Sequence, residues 1–229
     1  MRLIDLHRFT REFQDGAGAP LGNDNAAKDG STGKVSKEAV NKTIKEAQEA
    51  GPVIQSKAES LASKYADSQV TPINYKSEES MTRKVNDEYG GDITKLHDAA
   101  RTTIIVPDNA SMEDVFAEIG RDPNFTKVKW QRPDDYGGYS GIVTNYKTPD
   151  GTIGEIQVNT PKMIYAKNDV KSGKAILGEK KWNAINKQTG IEGGLGHGYY
   201  EKIRTLPANS PEKANLLKEQ EAYYKNFLG

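Results

Sequence analysis

Cysteine is absent from the 229 residues, which excludes disulfides, thiolate metal sites and cysteine nucleophiles. A run of about 18 apolar residues is also missing, so no stretch reads as a membrane-spanning helix. The chain has no excess of charge: 32 basic side chains meet 32 acidic ones, for a formal net charge of zero. No global field would therefore draw it onto nucleic acid or an anionic membrane. The histidines His7, His97 and His197 are too dispersed to suggest a triad or a zinc site. The first eight residues, MRLIDLHR, carry charges where a secretory signal needs an apolar core. The sequence reads as soluble and unprocessed by the general secretory route.

What is present is unevenly distributed. Residues 14–35 are rich in Gly, Asn, Asp and Ala and nearly free of large apolar side chains, so burial there cannot offset the entropy of ordering. This predicts a flexible arm over 1–35, with room for a short helix in the first 13 residues. A helical lead-in is expected over 36–68, a main domain over 69–205 and a C-terminal helix over 206–229. Ser36 is a candidate N-cap, and Gly51-Pro52 is expected to split the lead-in into two helices. Val53, Ile54, Leu61 and Tyr65 give the second of these a partial apolar face. Further on, strands are expected at 73–75, 102–106, 127–132, 139–146 and 152–158. Helices are expected at 77–88, 111–119 (opened by Ser111 with Asp114), around 160–185 and at 211–227. Thr148-Pro149-Asp150-Gly151 reads as the turn of a hairpin. The order of elements implies an α+β fold, a mixed β-sheet flanked by helices.

Four constellations carry chemistry. Lys76 precedes a helix start, and Ser80 and Lys84 share one face of that helix with Arg83 beside them. Cations and hydroxyls around a helix start suit a polyphosphate, although the same residues would make an ordinary solvated helix. Asp98 opens the apolar strand that begins near Arg101, a place suited to a magnesium ligand or to a plain turn cap. Gly137-Gly138-Tyr139-Ser140-Gly141 puts glycines beside a tyrosine that could stack on a nucleobase, or simply enter a strand. In Glu155-Ile156-Gln157-Val158-Asn159-Thr160, alternation places Glu155, Gln157 and Asn159 on one face opposite Ile156 and Val158. A wet site or an edge hairpin would each accept such a polar row, and in a site Glu155 could be a metal ligand or a base. The glycine-rich stretch around His197 has neither the spacing nor the strand-to-helix setting of a P-loop.

Taken in order, Lys76, Ser80, Arg83-Lys84, Asp98, Gly138-Tyr139, Glu155-x-Gln157, Thr160 and Met163 resemble the RelA/SpoT-type synthetase domain over residues 73–167. The resemblance implies a nucleotidyltransferase-like synthetase fold and pyrophosphoryl transfer from ATP to the 3′-hydroxyl of a purine nucleotide. It assigns Lys76, Ser80, Arg83, Lys84 and Arg101 to ATP. Asp98 and Glu155 would hold Mg²⁺, with Glu155, Asp98 and Gln157 as the catalytic group, and Tyr139, Asn159 and His197 would meet the acceptor. Two departures stand out: Thr103 falls where the family has arginine, for which Arg101 could substitute, and Val143 falls where it has histidine. The second departure weakens the case for GTP or GDP and fits the small toxic members that use adenine nucleotides or the 3′ end of tRNA. A catalytically inactive nucleotide-binding module is the remaining alternative. The expected setting is the cytoplasm, with delivery as an effector and an immunity protein as partner both compatible with it.

Overall fold

The computed structural model describes residues 33–228, so the expectations for the arm before residue 33 lie outside it. The first helix, α1 (Lys37–Ala62), is capped by Ser36, whose side chain accepts from the Ala39 amide. It runs unbroken through Gly51-Pro52, correcting the expected split. Pro52 is exposed, so the Gln48 carbonyl it leaves without a helical donor faces water. Gly51 is buried because the Tyr75 ring lies on it, where any β-carbon would collide with the phenol. Since Pro52 contributes no buried contact of its own, Pro52→Ala is expected to stabilise the fold by about 1–2 kcal/mol in urea unfolding. The gain is smaller than the full helix penalty because proline also stiffens the unfolded chain.

Six strands form one sheet: β1 (Gln69–Val70), β2 (Asn74–Tyr75), β3 (Ala100–Ile105), β4 (Phe125–Gln131), β5 (Gly141–Lys147) and β6 (Ile153–Asn159). Their order is β1-β3-β6-β5-β4, with β2 also pairing β3. Only β3 and β6 run parallel; the other pairs are antiparallel. The mixed α+β architecture read from the sequence is therefore the observed one. Between β2 and β3 lie α2 (Glu78–Tyr89), capped by Ser77, and a short 3₁₀ turn at Ile93–Lys95. The crossover from β3 to β4 carries α3 (Asn109–Ile119). Asp108, not Ser111, caps α3: its carboxylate accepts from the Ser111 amide at 2.8 Å, because an acceptor at the N-cap reaches the third helical N–H.

The sheet has two unlike faces. On one, Ala100, Ile104, Ile142, Ile156 and Val158 pack with Ile54, Ala58 and Leu61 of α1 and with Met81, Val85, Met112 and Val115. Gly154 has no side chain because Ile54 occupies that space. The second cluster centres on Ile105, Met163, Tyr165, Trp182, Tyr223, Tyr224 and Phe227, and joins Ile105 to the C-terminal helices. These are α4 (Pro161–Lys167), α5 (Val170–Leu177), α6 (Glu179–Thr189), α7 (Leu195–Thr205) and α8 (Pro211–Lys225). The expected helical region at 160–185 thus resolves into separate helices capped by Thr160, Asp169 and Gly178. The glycine-rich segment was not expected to be helical, yet it starts α7. Its glycines permit close packing: a β-carbon at Gly193 would meet the Tyr165 ring at 2.6 Å, and one at Gly196 would strike the Tyr224 hydroxyl.

Candidate active site

The face of the sheet turned away from α1 presents a row of polar side chains. Alternation along β6 buries Gly154, Ile156 and Val158 against α1 and turns Glu155, Gln157 and Asn159 the other way. Parallel pairing sets Arg101 beside Glu155 and Thr103 beside Gln157. On the other flank Asn145 pairs with Glu155 and Val143 with Gln157. Beyond them Lys127 and Lys129 of β4 are level with Asn145 and Val143.

Hydrogen bonds link this row. Gln157 donates from Nε2 to Glu155 Oε1 at 2.6 Å, and Lys167 Nζ donates to Gln157 Oε1 at 3.4 Å. The same ammonium lies 5.4 Å from the centre of the Tyr139 ring, within cation–π range. Tyr139 in turn donates its hydroxyl to Asn159 Oδ1 at 2.8 Å. Asn159 is wholly buried, and its Nδ2 is left without a hydrogen-bond partner. Tyr139 lies in the turn before β5 and not within the strand, because Gly137 (φ 56°) and Gly138 (φ 86°) adopt left-handed backbone there.

At the end of the sheet where β3 and β6 begin, Asp98 Oδ2 accepts from Lys76 Nζ at 2.9 Å and from Lys84 Nζ at 3.0 Å. Helix α2 presents Lys84 on the same side as Ser80, one turn earlier, while Arg83 is exposed. Burial of Asp98 opposes its charge. The Lys76 hydrogen bond and the Lys84 charge outweigh that effect and hold the carboxyl below its usual range. Burial likewise works against the Lys84 charge, and Asp98 more than reverses it, so the Lys84 pKa is raised. The second oxygen, Asp98 Oδ1, is buried with no hydrogen-bond partner. His97 Nδ1 lies 2.9 Å from Asn145 Nδ2, which ties the Asp98 segment to the strand position facing Glu155. Burial, then the Lys127 charge, push His97 below its ordinary pKa.

The structure therefore gathers Lys76, Ser80, Lys84 and Asp98 at the sheet's end, with Arg101 and Glu155 beside each other on the adjoining strands. Gln157, Asn159 and Tyr139 continue the row. His197 stands apart: it is exposed on α7 near Asp169 and joins none of the hydrogen bonds of the row among the described residues. Sequence reasoning missed Lys167 and Asn145. The signal for Lys167 was a lone cation ending the otherwise apolar run Met163–Ala166, about two turns beyond the Thr160 cap.

No family model matches the chain. A curated relative, the (p)ppApp synthetase toxin Tas1 of Pseudomonas aeruginosa (strain UCBPP-PA14), is 39% identical over 171 residues, 75% of this chain. The chain spans 38% of that relative's length. The crystal structure of the type VI effector Tas1 with its immunity protein superposes at a TM-score of 0.76 and 37% identity, covering 83% of this chain and 96% of that one. The chain belongs to the RelA/SpoT-type synthetase family. A looser likeness, at a TM-score of 0.46 and 18% identity over 82% of this chain and 92% of the other, is to the small alarmone synthetase 1 of Bacillus subtilis. The Val143 position is apolar and pairs with Gln157, so its side chain offers no hydrogen bond to a base.

Proposed function

We propose that the chain transfers the pyrophosphoryl group of ATP to the 3′-hydroxyl of a purine nucleotide, and that the acceptor is an adenine nucleotide. The observation that carries this reading is the adjacency of the Lys76–Asp98–Lys84 cluster to the Glu155–Gln157–Asn159 row. It provides a polyanion site and a carboxylate base on one stretch of sheet. The adenine preference draws on the (p)ppApp synthetase named as a relative and on Val143.

On this reading Lys76, Lys84, Ser80, Arg83 and Arg101 bind the triphosphate. Each ammonium carries three donors, so Lys76 and Lys84 can hold Asp98 and still reach phosphate oxygens. Glu155, fixed by the Gln157 amide, takes the proton of the acceptor hydroxyl. The 3′-oxygen bonds to the β-phosphorus as the bond to the bridging α,β-oxygen breaks, and AMP leaves with that oxygen. Tyr139 offers its ring to the acceptor base. Lys167 lies between that ring and Gln157, where it can meet the acceptor's negative charge.

The residues present fit a magnesium ion. Asp98 Oδ1 is a buried oxygen with no donor, and Asp98 and Glu155 form an all-oxygen set with neither imidazole nor thiolate, as Mg²⁺ prefers. Among the described residues no group of three or more His, Cys, Asp or Glu is assembled, and a magnesium ion held by one or two carboxylates is completed by substrate phosphates. When bound it neutralises charge spread over the phosphates.

The type VI effector relative in complex with its immunity protein extends the proposal to a toxin acting in a recipient cell's cytoplasm under control of a dedicated inhibitor. The described helices include none long and apolar enough to cross a membrane. The test is incubation of the chain and Mg²⁺ with γ-labelled ATP and each of AMP, ADP, ATP, GDP, GTP and deacylated tRNA. Label in a 3′-pyrophosphorylated adenine nucleotide with stoichiometric AMP is expected. ADP as the sole product refutes the transfer, label in a 3′-pyrophosphorylated guanine nucleotide refutes the adenine preference, and label confined to tRNA moves the acceptor to the RNA 3′ end.

A further inference from the structure

Tyr139 is held from a distance of some eighty residues. Gln220, buried in the middle of α8, donates from Nε2 to the carbonyl oxygens of Gly137 at 3.1 Å and Tyr136 at 3.3 Å. One turn on, Tyr224 meets the Tyr139 ring edge-on, centroids 5.7 Å apart. The fit is close: a β-carbon at Gly138 would lie 2.8 Å from Tyr224 Cβ and 3.0 Å from the Glu221 backbone, and one at Gly137 would collide with Gln220 Nε2. Helix α8 is itself fixed, since the Tyr223 hydroxyl faces the carbonyl oxygens of Ala166 at 3.1 Å and Glu192 at 3.0 Å. Apart from α8, the backbone of the turn at 136–139 closes on local bonds, from Tyr136 to Arg132, Gly138 to Pro133 and Tyr139 to Tyr136, while the Tyr139 hydroxyl reaches Asn159 and the Tyr136 ring lies under Lys129. Its two left-handed glycines make it adaptable. The buried Gln220 amide, giving its hydrogens to two carbonyls of this turn, ties the turn's backbone to α8.

We propose that Gln220 is a positioning residue: through it and Tyr224, helix α8 sets where the Tyr139 ring stands and thereby the affinity for the acceptor. This rests on the reading above for the acceptor's place, but not for the mechanical link. The same helix face that completes the second apolar cluster is thus a determinant of one substrate's binding and leaves the other's untouched. The ATP residues Lys76, Ser80, Lys84 and Asp98 have no contact with α8 among the bonds and ion pairs described.

The test compares wild type, Gln220→Ala and Gln220→Glu in the full chain. Gln220→Ala is expected to raise the acceptor KM by roughly tenfold, the effect of about one lost hydrogen bond to a buried pair of carbonyls, with the ATP KM within a factor of two. Gln220→Glu keeps the reach but points oxygen at oxygen, so it is expected to do as badly or worse. Amide exchange of Tyr136, Gly138 and Tyr139 should quicken in both variants, a readout that needs no activity. Equal rises in both KM values, or unchanged exchange at these amides with only a lowered Tm, would overturn the proposal. A wild-type chain without transfer would defeat the functional reading alone, and exchange would still decide the mechanical link.

Discussion

Glu155→Gln is expected to lower kcat by about 10³-fold, the scale of removing a general base, while the Tm stays within about 2 °C of wild type. The two outcomes separate because of where Glu155 lies. It projects from β6 away from the α1 core, is only half-buried and has Arg101 as its neighbour in register. Glutamine has the same size, and its carbonyl oxygen can still accept from Gln157 Nε2, which now reaches Glu155 Oε1. What is lost is the negative charge and the ability to take a proton. Steady-state production of AMP, with thermal unfolding followed on the same preparation, checks both halves. Activity within a factor of ten of wild type would remove Glu155 from the proton-transfer role.

Asp98→Ala is expected to abolish transfer and also to cost the fold about 2–4 kcal/mol near neutral pH. Its side chain is 12% exposed and takes hydrogen bonds from Lys76 and Lys84, which are 19% and 23% exposed. Removing the carboxylate leaves two largely buried ammonium groups facing each other, although both can turn partly toward water. The pH dependence follows from the directions of the shifts. The Asp98 pKa is lowered in the folded chain, so its contribution is present above the unfolded value of about 3.9 and is lost as pH falls through the lower folded value. The Lys84 pKa is raised, so its share is present below the unfolded lysine value and is lost only as pH rises past the folded one. Denaturant titrations of wild type and Asp98→Ala should therefore differ most between about pH 5 and 9 and converge in acid. A gap that stayed constant down to pH 2 would mean the loss comes from packing, not from charge.

The sheet and the polar row were legible because each follows from strictly local rules. Period-two alternation through Glu155, Gln157 and Asn159 and the β-branched run at 102–105 define strands without reference to anything distant. Ser36, Ser77, Thr160 and Ser210 cap helices by accepting from the amide three residues on. Where local rules met tertiary packing, packing won. Gly51-Pro52 reads as a break, yet a helix pressed onto β3 and β6 keeps its course through a solvent-facing proline. The glycines around His197 gave no helix signal, yet Gly193 and Gly196 clear space for Tyr165 and Tyr224 at the start of α7. The sequence assigns Lys76 and Lys84 to phosphate and Asp98 to a metal as separate groups. That they bond to one another across 22 and 14 residues is a fact of folding that spacing does not encode. Gln220 was invisible for the same reason, being 83 residues from the carbonyl it holds.

The two isoleucines of β3 part company: Ile104 belongs to the cluster beneath α1, and Ile105 to the one built by α4–α8. The residues assigned to the triphosphate lean on the first of these, while Tyr139 packs against the second. On the reading proposed above, donor and acceptor are gripped by walls with separate apolar backing. On that reading, reshaping the C-terminal helices is expected to alter the choice of acceptor before it alters the hold on ATP.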